Sequence, residues 1–223
     1  MSAPVRTPPS REAVAHHEAG HAVMAVAVGY RVASVTIEPV GDVLGRVRHR
    51  MLEVGDMEEH ALDVESGDPV RRWRGRCALV RTARSSIAGP IAEGLYTRSP
   101  WWRPWSESIF PDGAAARPHP AQYDDDVTSV VRALEAAARG SSALLGYQNR
   151  LGREVRAYLT ANWRAVEDVA ALLLREGTVD GEAVEKVARE SAGRHGLDLY
   201  PPSTYTPWWK PPRSVANPSR AAA

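Results

Sequence analysis

Residues 17–21 read His-Glu-Ala-Gly-His, and this pentapeptide restricts the chain more than any other feature. On a helix, side chains four apart lie on one face, so His17 and His21 can reach a single metal ion. Glu18 projects about 100° away from His17, beside the metal's open side, where it can act on a water. Around the pentapeptide, residues 13–28 contain no proline and are apolar almost throughout. Ser10 stands where an N-cap belongs, and Glu12 falls in the first turn. The segment reads as a largely buried helix bearing a zinc site, against the plainer alternative of two histidines satisfied inside a core helix.

The length suits one domain of moderate size, and 43% hydrophobic against 25% charged residues allows a sizeable core. A formal net charge of +1 gives no reason to expect nucleic acid as a partner. The single cysteine, Cys77, excludes an internal disulfide and a cysteine-based zinc site. The first ten residues hold no apolar run of the kind a signal peptide needs. The most apolar window carries His16, His17, Glu18 and His21, which argues against a membrane span. A soluble, cytoplasmic protein is the expectation.

The chain pattern predicts a mostly α fold with a small β-sheet or hairpin. Residues 32–37 alternate and are β-branched, as a strand does, and residues 45–50 would form a second, exposed strand. Residues 51–68 are acidic and read as a loop or a short helix. A helical pattern then runs from Val70 to Leu95, where Gly89-Pro90 should kink or split it. Residues 97–121 interleave five prolines with Trp101, Trp102 and Trp105 and read as a long loop. Asp124-Asp125-Asp126 would open the next helix, ending near Ala138, with first-turn capping as their simplest role. Residues 144–175 make one long helix or two, and Thr178 would cap a last one ending near Ala192. The domain should therefore span residues 10–195, between a disordered 1–9 and a Pro/Trp-rich tail at 196–223, disordered or packed on the surface.

A catalytic zinc needs three protein ligands and an open position. Glu93 and the triplet Asp124, Asp125, Asp126 are the candidates for the third. His49, His60, His119 and His195 sit in polar or loop contexts and read as solvated.

With these motifs in place, the chain resembles the zinc peptidase domain of the FtsH family of membrane-bound, ATP-dependent proteases. Residues 17–22 match that family's H-E-A-G-H-A letter for letter, and residues 32–39 match its V-x-x-V-T-I-x-P strand. Leu44-Gly45 matches a Leu-Gly pair, residues 89–93 a G-x-x-A-E segment, and residues 173–184 approach a closing segment. The similarity covers roughly residues 10–192. It implies a zincin-like, FtsH-peptidase-type helical domain in which the third zinc ligand is an Asp at a helix start. Of the three aspartates, Asp126 alone places apolar residues at the +1, +4, +5, +7, +8, +11 and +12 positions, namely Val127, Val130, Val131, Ala133, Leu134, Ala137 and Ala138. Asp126 is therefore the expected ligand, with Asp125 in reserve, whereas Glu93 beside Gly89-Pro90 and Gly94 suits helix packing.

The resemblance implies a zinc metalloendopeptidase, expected to be ATP-independent as a single chain because the family's ATPase module is not matched here. Zinc would be held by His17, His21 and Asp126, with Glu18 as general base, and the substrates would be peptides or unfolded proteins. The strand at 32–37 would offer a free edge to an extended peptide. The chain departs from the family in lacking the ATPase module, the membrane helices and the Asn before the ligating Asp. Two other readings stand beside this one. A site-2-protease-like enzyme also joins H-E-x-x-H to an A-G-P segment, here Ala88-Gly89-Pro90. A non-enzymatic zinc fold could instead act as an interaction module, its Trp208-Trp209 tail docking to a protein partner. Oligomerisation stays open.

Overall fold

The computed structural model describes residues 9–39, 44–49, 57–98, 121–138, 144–192 and 197, without the side chains of 49, 121–125, 127 and 144–149. Seven helices and three strands lie among the described residues. In chain order they are α1 (Arg11–Ala27), β1 (Val32–Thr36), β2 (Arg46–His49), α2 (Met57–Glu65), α3 (Pro69–Tyr96), α4 (Ala121–Ala137), α5 (Leu144–Ala161), α6 (Trp163–Glu176), β3 (Thr178–Asp180) and α7 (Gly181–Glu190). This is the mostly helical class with a small sheet that the sequence predicts. No helix among the described residues is long and apolar enough to cross a membrane.

Helix α1 is the axis of the fold. It starts where expected, with the Ser10 hydroxyl accepting from the Ala13 amide, and every residue from Ala13 to Ala27 is buried. A helix apolar on all sides must be surrounded. Helices α3, α6 and α7 and strands β1 and β2 all pack on it. At its C-terminal end Tyr30 carries the chain back to α3, where its hydroxyl donates to the Ala78 carbonyl and bonds the Thr82 hydroxyl.

Helix α3 runs unbroken from Pro69 to Tyr96, so the split expected at Gly89-Pro90 does not occur. Pro90 removes one intrahelical donor. The turns on both sides of it are held by α1, through Ala88 and Ala92 beside Gly20 and through Gly89 beside His17 and His21. The crossing is close because Gly20 has no side chain. A Cβ there would stand 2.5 Å from the Ala92 Cβ and 2.6 Å from the Ala88 carbonyl oxygen.

The sheet has the order β2-β1-β3, with both pairings antiparallel. Strand β1 is thus central, and the free edge expected for it is taken by Thr178–Asp180. The sequence pattern assigns these residues to the start of the last helix. The N-cap of α7 is Asp180, whose carboxylate accepts from the Glu182 amide, and Thr178 pairs with Thr36 instead. The register puts Val47, Val35 and Val179 in one row across the sheet, and Arg48, Ser34 and Asp180 in a row of the opposite parity. The valine row faces the helices, since Val35 and Val179 are buried. Near Ala33 the register shifts, and the Val32 amide turns to the Glu185 carboxylate.

The acidic stretch contains α2, and residues 144–175 are two helices separated at Asn162. Helix α4 begins three residues before Asp124, so the triplet does not open it. Leu197, within the expected tail, is in the core at 2% exposure, and its carbonyl accepts from Tyr158. The Trp/Pro loop and the rest of the tail lie outside the described residues.

Because the α1–α3 approach leaves no room at Gly20, Gly20→Ala should cost on the order of 1–3 kcal/mol. Chemical denaturation of the variant and its parent measures this. An unchanged midpoint would mean the helices can separate freely.

Candidate metal centre

The site is assembled from three helices that meet at one point. Helix α1 supplies His17, Glu18 and His21, each less than 10% exposed. Helix α4 supplies Asp126, whose side chain is 21% exposed and is the most open of the converging groups. The apolar residues after it (Val130, Ala133, Leu134 and Ala137) are buried, which turns the Asp126 position inward. Helix α3 contributes no converging atom but holds the histidines from behind.

The imidazole Nε2 atoms of His17 and His21 lie 3.0 Å apart, and Asp126 Oδ2 lies 3.1 Å from each. These three donor atoms form a nearly equilateral triangle, and His17, His21 and Asp126 could hold a metal ion. The other nitrogen of each ring fixes its tautomer. His17 Nδ1 is 3.0 Å from Glu93 Oε2, and His21 Nδ1 is 2.7 Å from the Ser85 carbonyl oxygen. Carboxylates and carbonyls only accept, so each Nδ1 carries the hydrogen and each neutral ring turns the Nε2 lone pair into the triangle. Two lone pairs and a carboxylate oxygen within about 3 Å repel one another unless a cation lies among them. That chemistry fits a metal.

Protonation of the same cluster shows the same demand for positive charge. Burial pulls the His17 pKa down, but Asp126 and Glu93 outweigh it and raise it to about 10. His21 is likewise raised: burial opposes the charge, and Asp126 more than compensates. Burial works against the Asp126 carboxylate too, yet the two histidines hold it well below the usual range. For Glu18 burial prevails over the two histidines and lifts its carboxyl above the ordinary value.

Glycines mark where backbone closes on the site. A Cβ on Gly89 would strike Nε2 of His21 and come within 2.7 Å of His17 Nε2. A Cβ on Gly45, just ahead of β2, would stand 2.5 Å from Glu18 Oε1. His16 belongs to the frame instead, stacked on Tyr96 at 3.8 Å with Nδ1 2.7 Å from the Glu12 carbonyl oxygen.

The structure therefore brings together His17, Glu18, His21 and Asp126. Glu93 is neither a converging ligand nor a helix-packing group; it is the carboxylate that orients His17. Sequence reasoning missed that role, together with those of Ser85 and Gly89. The spacing Ser85, Gly89, Glu93 is one face of a helix, and it was the available signal. The side chains of Asp124 and Asp125 lie outside the described residues, as do His119, His195 and the His49 side chain. His60 stands on α2, apart from the cluster. Cys77 is buried, as expected for a small apolar residue, which pushes its thiol up to about 12. The chain matches no protein-family model, and no curated protein matches it.

Asp126→Ala should cut metal affinity by orders of magnitude, because two protein ligands remain. Glu93→Ala should cost about 10–100-fold, the usual loss when an orienting partner is removed. Competition against a chelator gives both numbers, and equal losses would make Glu93 a ligand.

The stripped and loaded proteins should answer pH in opposite ways. Both histidine pKa values are raised above the ordinary 6.5. In the stripped protein the protonated rings stabilise the fold fully below pH 6.5, and this is lost as pH climbs towards about 10. Metal must displace those protons, so its affinity rises over the same window. Melting curves with chelator and with excess zinc, from pH 6.5 to 9.5, should diverge accordingly.

Proposed function

We propose that the protein is a zinc-dependent metallopeptidase that hydrolyses peptide bonds in flexible polypeptides. The observation that carries this reading is the triangle of His17 Nε2, His21 Nε2 and Asp126 Oδ2, with the buried Glu18 carboxylate one residue from His17. Two imidazoles and one carboxylate are the donor set of hydrolytic zinc sites that keep a position open for water or substrate. Zinc bound there would acidify a water and polarise the carbonyl of the scissile bond.

The remaining chemistry belongs to the chain. Glu18 takes the proton from the attacking water and delivers it to the leaving amine nitrogen. Burial raises its pKa above the ordinary carboxylate value, the direction that favours holding the proton between the two transfers. Glu93 and Ser85 hold the imidazoles in the ligating tautomer. The motif resemblance to FtsH-type peptidase domains supports the same chemistry. His17, Glu18 and His21 are buried, so flexible chains are the class such a site can take.

The same donor set serves iron(II) in oxygenases. A buried carboxylate next to the donors, one residue after His17, favours hydrolysis. The site-2-protease reading gains nothing from the described residues, since none of their helices spans a bilayer.

Glu18→Gln should abolish cleavage of an unstructured protein such as casein while zinc stays near one per chain. Parallel loss of zinc would make Glu18 a ligand. A zinc-loaded parent that leaves casein intact would favour the interaction-module alternative.

A further inference from the structure

Strand β2 is the terminal strand of the sheet, and among the described residues it pairs only with β1. Its outer edge starts beside the site, because Gly45 lies against Glu18. Side chains alternate along a strand. Positions 45 and 47 share the helix side, where Gly45 leaves room for the Glu18 carboxylate. Positions 46 and 48 share the other side, and both are exposed arginines.

Neither Arg46 nor Arg48 makes an ion pair or side-chain hydrogen bond among the described residues. Across the sheet from Arg46 and Arg48 stand Thr36 and Ser34, which bring no charge. Two cations about 7 Å apart match the spacing of alternate side chains on an extended peptide.

We propose that the outer edge of β2 aligns extended acidic polypeptides, with Arg46 and Arg48 reading carboxylates two residues apart on the bound chain. The backbone of that chain would complete the β2 ladder. Its carboxylate-bearing side chains would face the arginines, and the intervening ones would turn towards Glu18. This rests on the hydrolytic reading above and names its substrate class: flexible segments rich in Asp and Glu.

The test uses zinc-loaded full-length protein and three fluorescent ten-residue peptides of one backbone sequence, carrying Glu, Gln or Lys at two positions two apart. Binding is read by anisotropy on the Glu18→Gln variant, and cleavage on the parent. The Glu peptide should bind about three- to tenfold tighter than the Gln peptide, as two exposed ion pairs allow. That advantage should shrink as salt rises from about 0.1 to 0.5 M. It should vanish in Arg46→Gln/Arg48→Gln and turn to favour the Lys peptide in Arg46→Glu/Arg48→Glu. Arg156→Gln, a distant exposed arginine, should leave the ranking unchanged.

Equal binding of the three peptides, or a Glu preference that survives both double variants, overturns the proposal. Cleavage of all three at one rate leaves the peptidase standing and removes the acidic selectivity. Arginine-dependent binding without cleavage does the reverse.

Discussion

The close approach of α1 and α3 is the constraint on which the rest depends. Gly20 lets the helices meet almost backbone to backbone, against Ala88 and Ala92. Their antiparallel course then sets Ser85 behind His21 and Glu93 behind His17. Gly89, between them, lies directly over both Nε2 atoms. A side chain at either glycine would separate the helices and release the rings from the partners that fix their tautomers. Packing and ligand chemistry are here one arrangement.

The electrostatics follow from that arrangement. Two imidazoles with hydrogen on Nδ1, an Asp carboxylate and little solvent make a cluster that repels itself when uncharged by metal or proton. Burying polar groups in this way costs stability unless a partner compensates. The raised histidine pKa values and the depressed Asp126 value express one demand for positive charge, which protons or a divalent cation would meet. Glu18 remains outside the ligand set. Its environment, dominated by burial, lifts its carboxyl above the ordinary value.

The sheet links the fold to the candidate site, because Gly45 lies against Glu18. Its valine row seals the helical core, which fixes the parity of every position along β2. Parity then decides that Gly45 meets Glu18 while Arg46 and Arg48 face outward. A one-residue slip would bury the arginines and move the glycine away from the carboxylate. The Ala33 register shift, with Glu185 accepting from Val32, brings the N-terminus of α7 onto β1.

Much of this was legible in the sequence, for local reasons. The His-Glu-Ala-Gly-His spacing, the Ser10 cap and the apolar run require nothing beyond one helix, and the apolar periodicity after Asp126 picked one aspartate out of three. Three-dimensional contacts decided the rest. Three residues of β3 are too few to show a period, and only pairing with β1 makes them a strand. Pro90 breaks isolated helices, yet packing against α1 carries α3 through it. Glu93 sits 76 residues from His17, and its spacing with Ser85 and Gly89 marks a helix face without saying which side chain that face meets. The sequence alone determined which side chains could bind a metal. Which of them meet, and which groups hold them there, is set by how closely two helices can approach.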